Sequence, residues 1–332
     1  MNAFPNEVID IVGIGASTLD RFIVVDHFPT GREVQEAISS TTDGGGPVAT
    51  ALATAGKYGS RTVMIDRIGD DMVGRYILED FHKYNVNTEG IQVDADAKSG
   101  TATILVKQKT GERAVFFERS TASDPEFLDK YQGLIENASI VHINGRHRHL
   151  MRTAIDIALQ SGTIISLDGG AQRYDDDMRS ITESSHVVIV ARDYAEKYTG
   201  ATNLEEACCI IHDHGALIAG VTDGANGSYF VWPDGTAYRC QPFPQASVVD
   251  TTGAGDSFHG AFLSKLAVLI RQENALYGEF IKPIDILQSL DHKQLESAAI
   301  FASAVSALNT QGIGGRSALP SLKSACNLAG LE

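Results

Sequence analysis

The chain is short of cysteine, of basic charge and of long apolar runs. Its 332 residues hold four cysteines, Cys208, Cys209, Cys240 and Cys326, whose spacing matches no metal site and makes a poor disulfide framework. Against 42 acidic residues stand 27 basic ones, a net charge of −15, which argues against nucleic acid as the main partner. No window stays apolar for the ~20 residues that a membrane span needs. The opening residues, Met1-Asn2-Ala3-Phe4-Pro5-Asn6-Glu7, lack the basic and apolar regions of a signal peptide, so the expected compartment is the cytoplasm. Low-complexity linkers and internal repeats are missing as well. What is left is the expectation of a single domain, residues 1–332, with one large α/β core.

Strands and helices alternate along it. Ile9-Asp10-Ile11-Val12-Gly13-Ile14-Gly15 is too apolar for an exposed edge and predicts a buried parallel strand. Gly13-Ile14-Gly15 opens like a dinucleotide fingerprint, but Thr18 stands where its third glycine belongs. The chain from Leu19 to Asp26 then continues as strand where that fingerprint needs a helix, which excludes a nicotinamide site. Similar strands are expected at 62–65, 140–143, 163–167, 186–190 and 216–221, with helices at 48–55, 73–84, 151–160 and 296–308. Thr101 to Val106 and Ala114 to Phe117 flank Lys109-Thr110-Gly111-Glu112 as a hairpin. With strands near 20–26 and 34–40 they make a small sheet. His147, His149, His212 and His214 lack a third ligand at metal spacing and read as solvated histidines.

The stretch with the clearest chemistry is Asp250-Thr251-Thr252-Gly253-Ala254-Gly255-Asp256-Ser257-Phe258, which leads into a long apolar helix. Glycines before a helix let unpaired amide groups converge, and the helix dipole adds to their pull on an anion. Asp256 is a carboxylate set at that positive end, which predicts a depressed pKa and a permanently ionised base. For a bare Gly-x-Gly-Asp, a turn with Asp256 as helix cap is the better explanation.

The full run, however, closely resembles the C-terminal signature of the PfkB/ribokinase-type carbohydrate kinases. The resemblance implies a ribokinase-like α/β three-layer sandwich, mostly parallel, with a β-sheet lid from about 18–43 and 99–119. It implies that Gly253, Ala254 and Gly255 form an anion hole for the transferred phosphoryl group. Asp256 would then deprotonate the acceptor hydroxyl. Gly44-Gly45-Gly46-Pro47, which starts a helix, is similar to the family's N-terminal signature, and Asp20 falls where that family binds its sugar. Arg146 and Asp168, at strand ends, join them as substrate candidates. Thr222, Asp223, Gly224 and Gly227 resemble the nucleotide segment, although a plain hairpin turn would look alike. Thr252 and Arg119 complete the nucleotide set, with a surface salt bridge as the other reading of Arg119.

Two departures stand out. Ala49 replaces an asparagine that many sugar kinases point at the sugar, and Ala191-Arg192-Asp193-Tyr194 replaces the family's Asn-x-x-Glu near Mg²⁺. No metal-binding residue is assigned, because such an ion is held largely by phosphates and water. Arg32 and Arg146 are candidates to face the pocket, where arginines would favour an acceptor with a charged group. The implied cofactors are ATP and Mg²⁺, with a monovalent cation such as K⁺ as a further candidate. The implied partners are a small sugar and a second copy joined through the lid. The glycine run, Asn144-Gly145-Arg146 and Leu167-Asp168-Gly169 are most similar to the ketohexokinase and sulfofructose kinase branch. A nucleoside kinase, a sugar-phosphate kinase and a non-catalytic sugar-binding regulator are the alternative readings.

Overall fold

The computed structural model describes residues 9–244, 247–277 and 281–331; the signal-peptide reading of Met1 to Glu7 lies outside them. In chain order the elements are β1 (Ile9–Ile14), β2 (Thr18–Val25), β3 (Ser39–Gly45), α1 (Pro47–Lys57), β4 (Thr62–Gly69) and α2 (Met72–Lys83). There follow β5 (Val86–Asp94), β6 (Gly100–Lys107), β7 (Arg113–Glu118), α3 (Asp129–Glu136), β8 (Ala138–Ile143), α4 (Arg148–Ser161) and β9 (Ile164–Gly169). Next are α5 (Asp176–Glu183), β10 (Val187–Ala191), α6 (Arg192–Thr199), α7 (Leu204–Asp213), β11 (Ile218–Thr222), β12 (Ser228–Val231) and β13 (Ala237–Cys240). The chain closes with α8 (Ala254–Tyr277), α9 (Pro283–Ser289), α10 (His292–Asn309) and α11 (Leu322–Ala329).

Nine strands form one sheet in the order β13-β12-β11-β10-β9-β8-β1-β4-β5. It is parallel from β11 to β5, and β12 runs antiparallel to both β11 and β13. Every residue of β1, β8 and β9 is buried, because the sheet has a hydrophobic core on each face. Neighbouring side chains on a strand point to opposite faces, so Ile11 joins the core with α1, α8 and α10, while Val12 joins the core with α3 to α7. This is a three-layer α/β architecture.

A second, four-stranded sheet has the order β3-β2-β6-β7, with β2 and β6 parallel and the outer pairs antiparallel. Phe22, Ala102, Ile104 and Val106 form its small core, with Ile313 packed against them. Val115, Phe116 and Phe117 on β7 remain half or more exposed, at 60%, 61% and 50%. The strand expected near 34–40 forms later, at 39–45. Val34 finds nothing to pack against and is fully exposed, whereas Ser39 to Gly45 can pair along β2 from Val24 to Thr18. Backbone pairing, not side-chain alternation, sets that strand.

Helices α1 and α8 carry the two glycine-rich turns, and they pack closely. A Cβ on Gly260 would sit 2.2 Å from the Ala51 carbonyl oxygen. The bare α-carbon is therefore what lets the two helix N-termini converge. Gly260→Ala should cost about 1–3 kcal/mol by overpacking, read as a lower denaturation midpoint at unchanged slope. A variant as stable as the parent would mean that the helices have room to spare.

Candidate active site

The carboxyl ends of the parallel strands lie along one edge of the large sheet, where such sheets bind ligands. Asn144, Asp168 and Thr222 sit there, after or at the ends of β8, β9 and β11. The turn before α8 reaches the same edge and is held by Asp250. That carboxylate is buried, with Oδ1 accepting from the Thr252 amide (2.9 Å) and hydroxyl (2.7 Å). Its Oδ2 accepts from the Gly314 amide at 3.0 Å. Arg113 of β7 donates to Thr252 Oγ1 (2.5 Å) and lies 3.4 Å from Asp250 Oδ1, tying the small sheet to this turn. Within the first turn, the Ala254 amide donates to the Thr251 carbonyl and the Ser257 amide to the Gly253 carbonyl. The amides of Gly255 and Asp256 find no acceptor among the described residues.

Asp256 lies in the first turn of α8 and is partly exposed. Its pKa is not depressed. Crowding by protein pushes it up to about 7, and the neighbouring Asp168 carboxylate adds to the rise. Arg173 and Arg316 pull the other way, and Asp20 also raises it, so these side chains share one electrostatic neighbourhood. A helix end offers one partial positive charge, and here desolvation outweighs it. Asp168 turns towards His259 Nε2 (3.4 Å) and Arg173 Nη1 (3.9 Å).

Beside this lies a cavity of about 600 Å³ lined by Thr18, Asp20, Gly46, Asn144, Phe117 and four arginines, among other residues. Burial raises the pKa of Asp20, against a hydrogen bond from the Thr18 hydroxyl (2.8 Å) that lowers it. Asp20 pairs across the sheet with Asp43 and leans over the glycine run, where a Cβ on Gly45 would fall 2.3 Å from its carboxylate oxygens. Gly46 has φ of 93° and caps α1, a conformation that suits glycine. Ala49 faces the core instead of this cavity.

The glycine run is braced from behind by Arg316, which is 1% exposed. Its guanidinium donates to Asp80 Oδ2 (2.5 Å), the Gly45 carbonyl (2.8 Å) and Thr50 Oγ1 (3.2 Å). The amides of Arg316 and Ser317 both reach Asp43 Oδ2, at 2.8 and 2.9 Å. Gly315, next in line, packs against Gly253 so closely that a Cβ on Gly253 would meet its α-carbon at 2.6 Å. One short segment thus touches both glycine-rich turns.

A family model for pfkB family carbohydrate kinases matches residues 8–322. The chain belongs to this family. It is 28% identical to "Probable fructokinase-5" of Arabidopsis thaliana, over 90% of this chain and 92% of that protein. Its fold is that of ribokinase. The Giardia lamblia ribokinase superposes with a TM-score of 0.80 at 19% identity, over 96% of this chain and 99% of that one. Arabidopsis thaliana ribokinase complexed with ribose and ATP gives 0.76 at 21% identity, over 98% of this chain and 100% of that one.

The structure of this carbohydrate kinase brings Asp20, Gly46, Arg119 and Arg146 to one cavity. It sets Asp168 beside Asp256 instead of in the cavity wall. Thr222, Asp223, Gly224 and Gly227 close the turn from β11 to β12, where Asp223 accepts from Arg192 at 2.8 Å. Arg32 lies in the exposed segment before β3, away from the cavity. His147 is not solvated: its ring is 9% exposed and sits 2.9 Å from both Asp66 and Asp124. Burial lowers its pKa, but the two carboxylates outweigh that and the net shift is upward. The residues that sequence reasoning missed are Arg113, Arg316, Asp43, Asp80 and His259. Only His259 carried a local signal, one turn beyond Asp256 on the same helix.

Proposed function

We propose that this kinase transfers the γ-phosphoryl group of ATP to a hydroxymethyl group of a small sugar. The observation that carries the reading is Asp256 in the first turn of α8, beside amides without acceptors. Its carboxylate takes the hydroxyl proton as the sugar oxygen bonds to phosphorus, the bond to the β-phosphate oxygen breaks, and ADP leaves. The amides of Gly253 and Gly255 hold the equatorial oxygens of the moving group, joined by that of Ala254 once it leaves the Thr251 carbonyl. Asp20, the Gly44 to Gly46 run and Arg146 orient the sugar, and Asp168 acts on Asp256 through its charge. Thr222, Asp223, Gly224, Gly227 and Thr252 face the nucleotide, while Arg119, which lines the Asp20 cavity, faces the sugar. An accompanying Mg²⁺ would be held largely by ATP phosphates and water. No residue is proposed for K⁺. The exposed Val115, Phe116 and Phe117 are the proposed contact with a second copy. An ADP-release screen over ketoses, sugar phosphates, sugar acids and nucleosides tests the reading; turnover of nucleosides alone would replace it.

In this reading the small sheet is a lid, held to the phosphoryl site by Arg113 and excluding water from the transfer. Hydrogen exchange in β2, β3, β6 and β7 should slow when sugar is added. Protection confined to the large sheet would rule a lid out.

A further inference from the structure

Arginine is scarce in this chain relative to acid, with 42 Asp and Glu against 27 Lys and Arg. Each guanidinium therefore has carboxylates to choose from. The four arginines of the Asp20 cavity, Arg119, Arg146, Arg148 and Arg173, nonetheless divide into two pairs. Arg148 is bound to Asp175 and, at 2.7 Å, to Asp177, and Arg173 lies 3.9 Å from Asp168. The Arg119 and Arg146 side chains have no acceptor among the described residues; Arg146 bonds only through its own amide, to Asn144 Oδ1 at 3.3 Å. Asn144 adds a second, independent signal. It is 3% exposed, it lines the same cavity, and its Nδ2 is buried without a partner. A buried amide donor left unpaired costs about 1–3 kcal/mol unless something accepts from it.

These unsatisfied donors come from different parts of the fold. Asn144 and Arg146 follow β8 of the large sheet, and Arg119 follows β7 of the small one. All are donors without an acceptor role, apart from Asn144 Oδ1, which is already engaged. Both guanidinium groups are exposed and met by water at the rim of the cavity, and a neutral sugar seated here would bring them no counter-charge. An oxyanion offers each of them the paired oxygens that a guanidinium fork matches.

We propose that the acceptor of this kinase is an anionic sugar, its carboxylate or phosphate seated by Arg119, Arg146 and Asn144 Nδ2. Its hydroxyls lie on Asp20 and its free hydroxymethyl group points to Asp256. This rests on the kinase reading above and narrows it. Carboxylate and phosphate share the recognition chemistry, so the test carries both.

The experiment measures kcat/KM at saturating ATP for D-fructose, D-fructose 6-phosphate, 2-keto-D-gluconate and adenosine, in the parent and in Arg146→Gln and Arg119→Gln. We expect at least one anionic acceptor to exceed fructose by tenfold or more. That preference should fall by about 10- to 100-fold in each variant, the scale of a lost charged hydrogen bond. Arg146→Lys should restore part of it, and a normal melting curve for each variant separates this from misfolding. Fructose preferred by the parent, or a preference unchanged in both variants, overturns the anionic acceptor and leaves the sugar kinase standing. A raised KM for ATP with the acceptor preference intact assigns the arginines to the nucleotide and also overturns it. Turnover of nucleosides with no sugar accepted removes both readings together.

Discussion

Asp256→Asn should lower kcat by a factor on the order of 10² to 10⁴, with little change in acceptor affinity. The amide keeps the shape of the side chain and the first turn of α8 but cannot accept the hydroxyl proton. Its surroundings supply a second signature. With the carboxyl pKa pushed up to about 7 from 3.8 in the ligand-free protein, kcat/KM should fall as pH drops below that value. Removing the neighbouring charge by Asp168→Asn should move this acid limb to lower pH. Stability should run the other way. A carboxyl group whose folded pKa lies above its unfolded one stabilises the fold while protonated, and that contribution is lost as pH rises through the folded value. The asparagine variant should therefore melt higher than the parent at pH 8, with the gap closing towards pH 4. Turnover within a few-fold of the parent would take Asp256 out of the proton transfer. A parent acid limb that ignores the Asp168 substitution would sink the electrostatic account.

The layered fold was legible because parallel strands buried on both faces write themselves as apolar runs, and β1, β8, β9 and β10 did so. The turn at Gly253 to Asp256 was legible because its chemistry is local: amides, glycine and one carboxylate within four residues. The misread features all depend on partners far along the chain. Gln311-Gly312-Ile313-Gly314-Gly315 looks flexible from its glycines alone, yet the Gly314 amide is fixed by Asp250, 64 residues earlier. Asp256 itself was placed correctly on its helix, but its ionisation depends on Asp168, Arg173, Arg316 and Asp20, which only the fold assembles. Local sequence gives a residue its neighbours along the helix and says little about the charge that faces it.

Arg316 shows the same principle at its largest energetic scale, and Arg316→Met should cost about 3–5 kcal/mol of stability. The guanidinium is buried against Asp80, which is 5% exposed and lies 236 residues earlier in the chain. Methionine fills much of the stem's volume above the Phe81 ring, where the guanidinium carbon lies 5.4 Å from the centroid. It leaves the Asp80 carboxylate without its cation and the Gly45 carbonyl without its donor. Most of the loss should come from that stranded charge and not from the missing attraction. Asp80→Asn combined with Arg316→Met should then lose less than the single arginine substitution, which a double-mutant cycle by chemical denaturation measures directly. The binding side has its own readout. Because the same guanidinium holds the Gly45 carbonyl under Asp20, the stable double variant should show a raised KM for the acceptor while KM for ATP stays near the parent value. A single substitution costing under about 1 kcal/mol would mean that water reaches Asp80. An unchanged acceptor KM in the double variant would show that the glycine turn holds its shape without the strut.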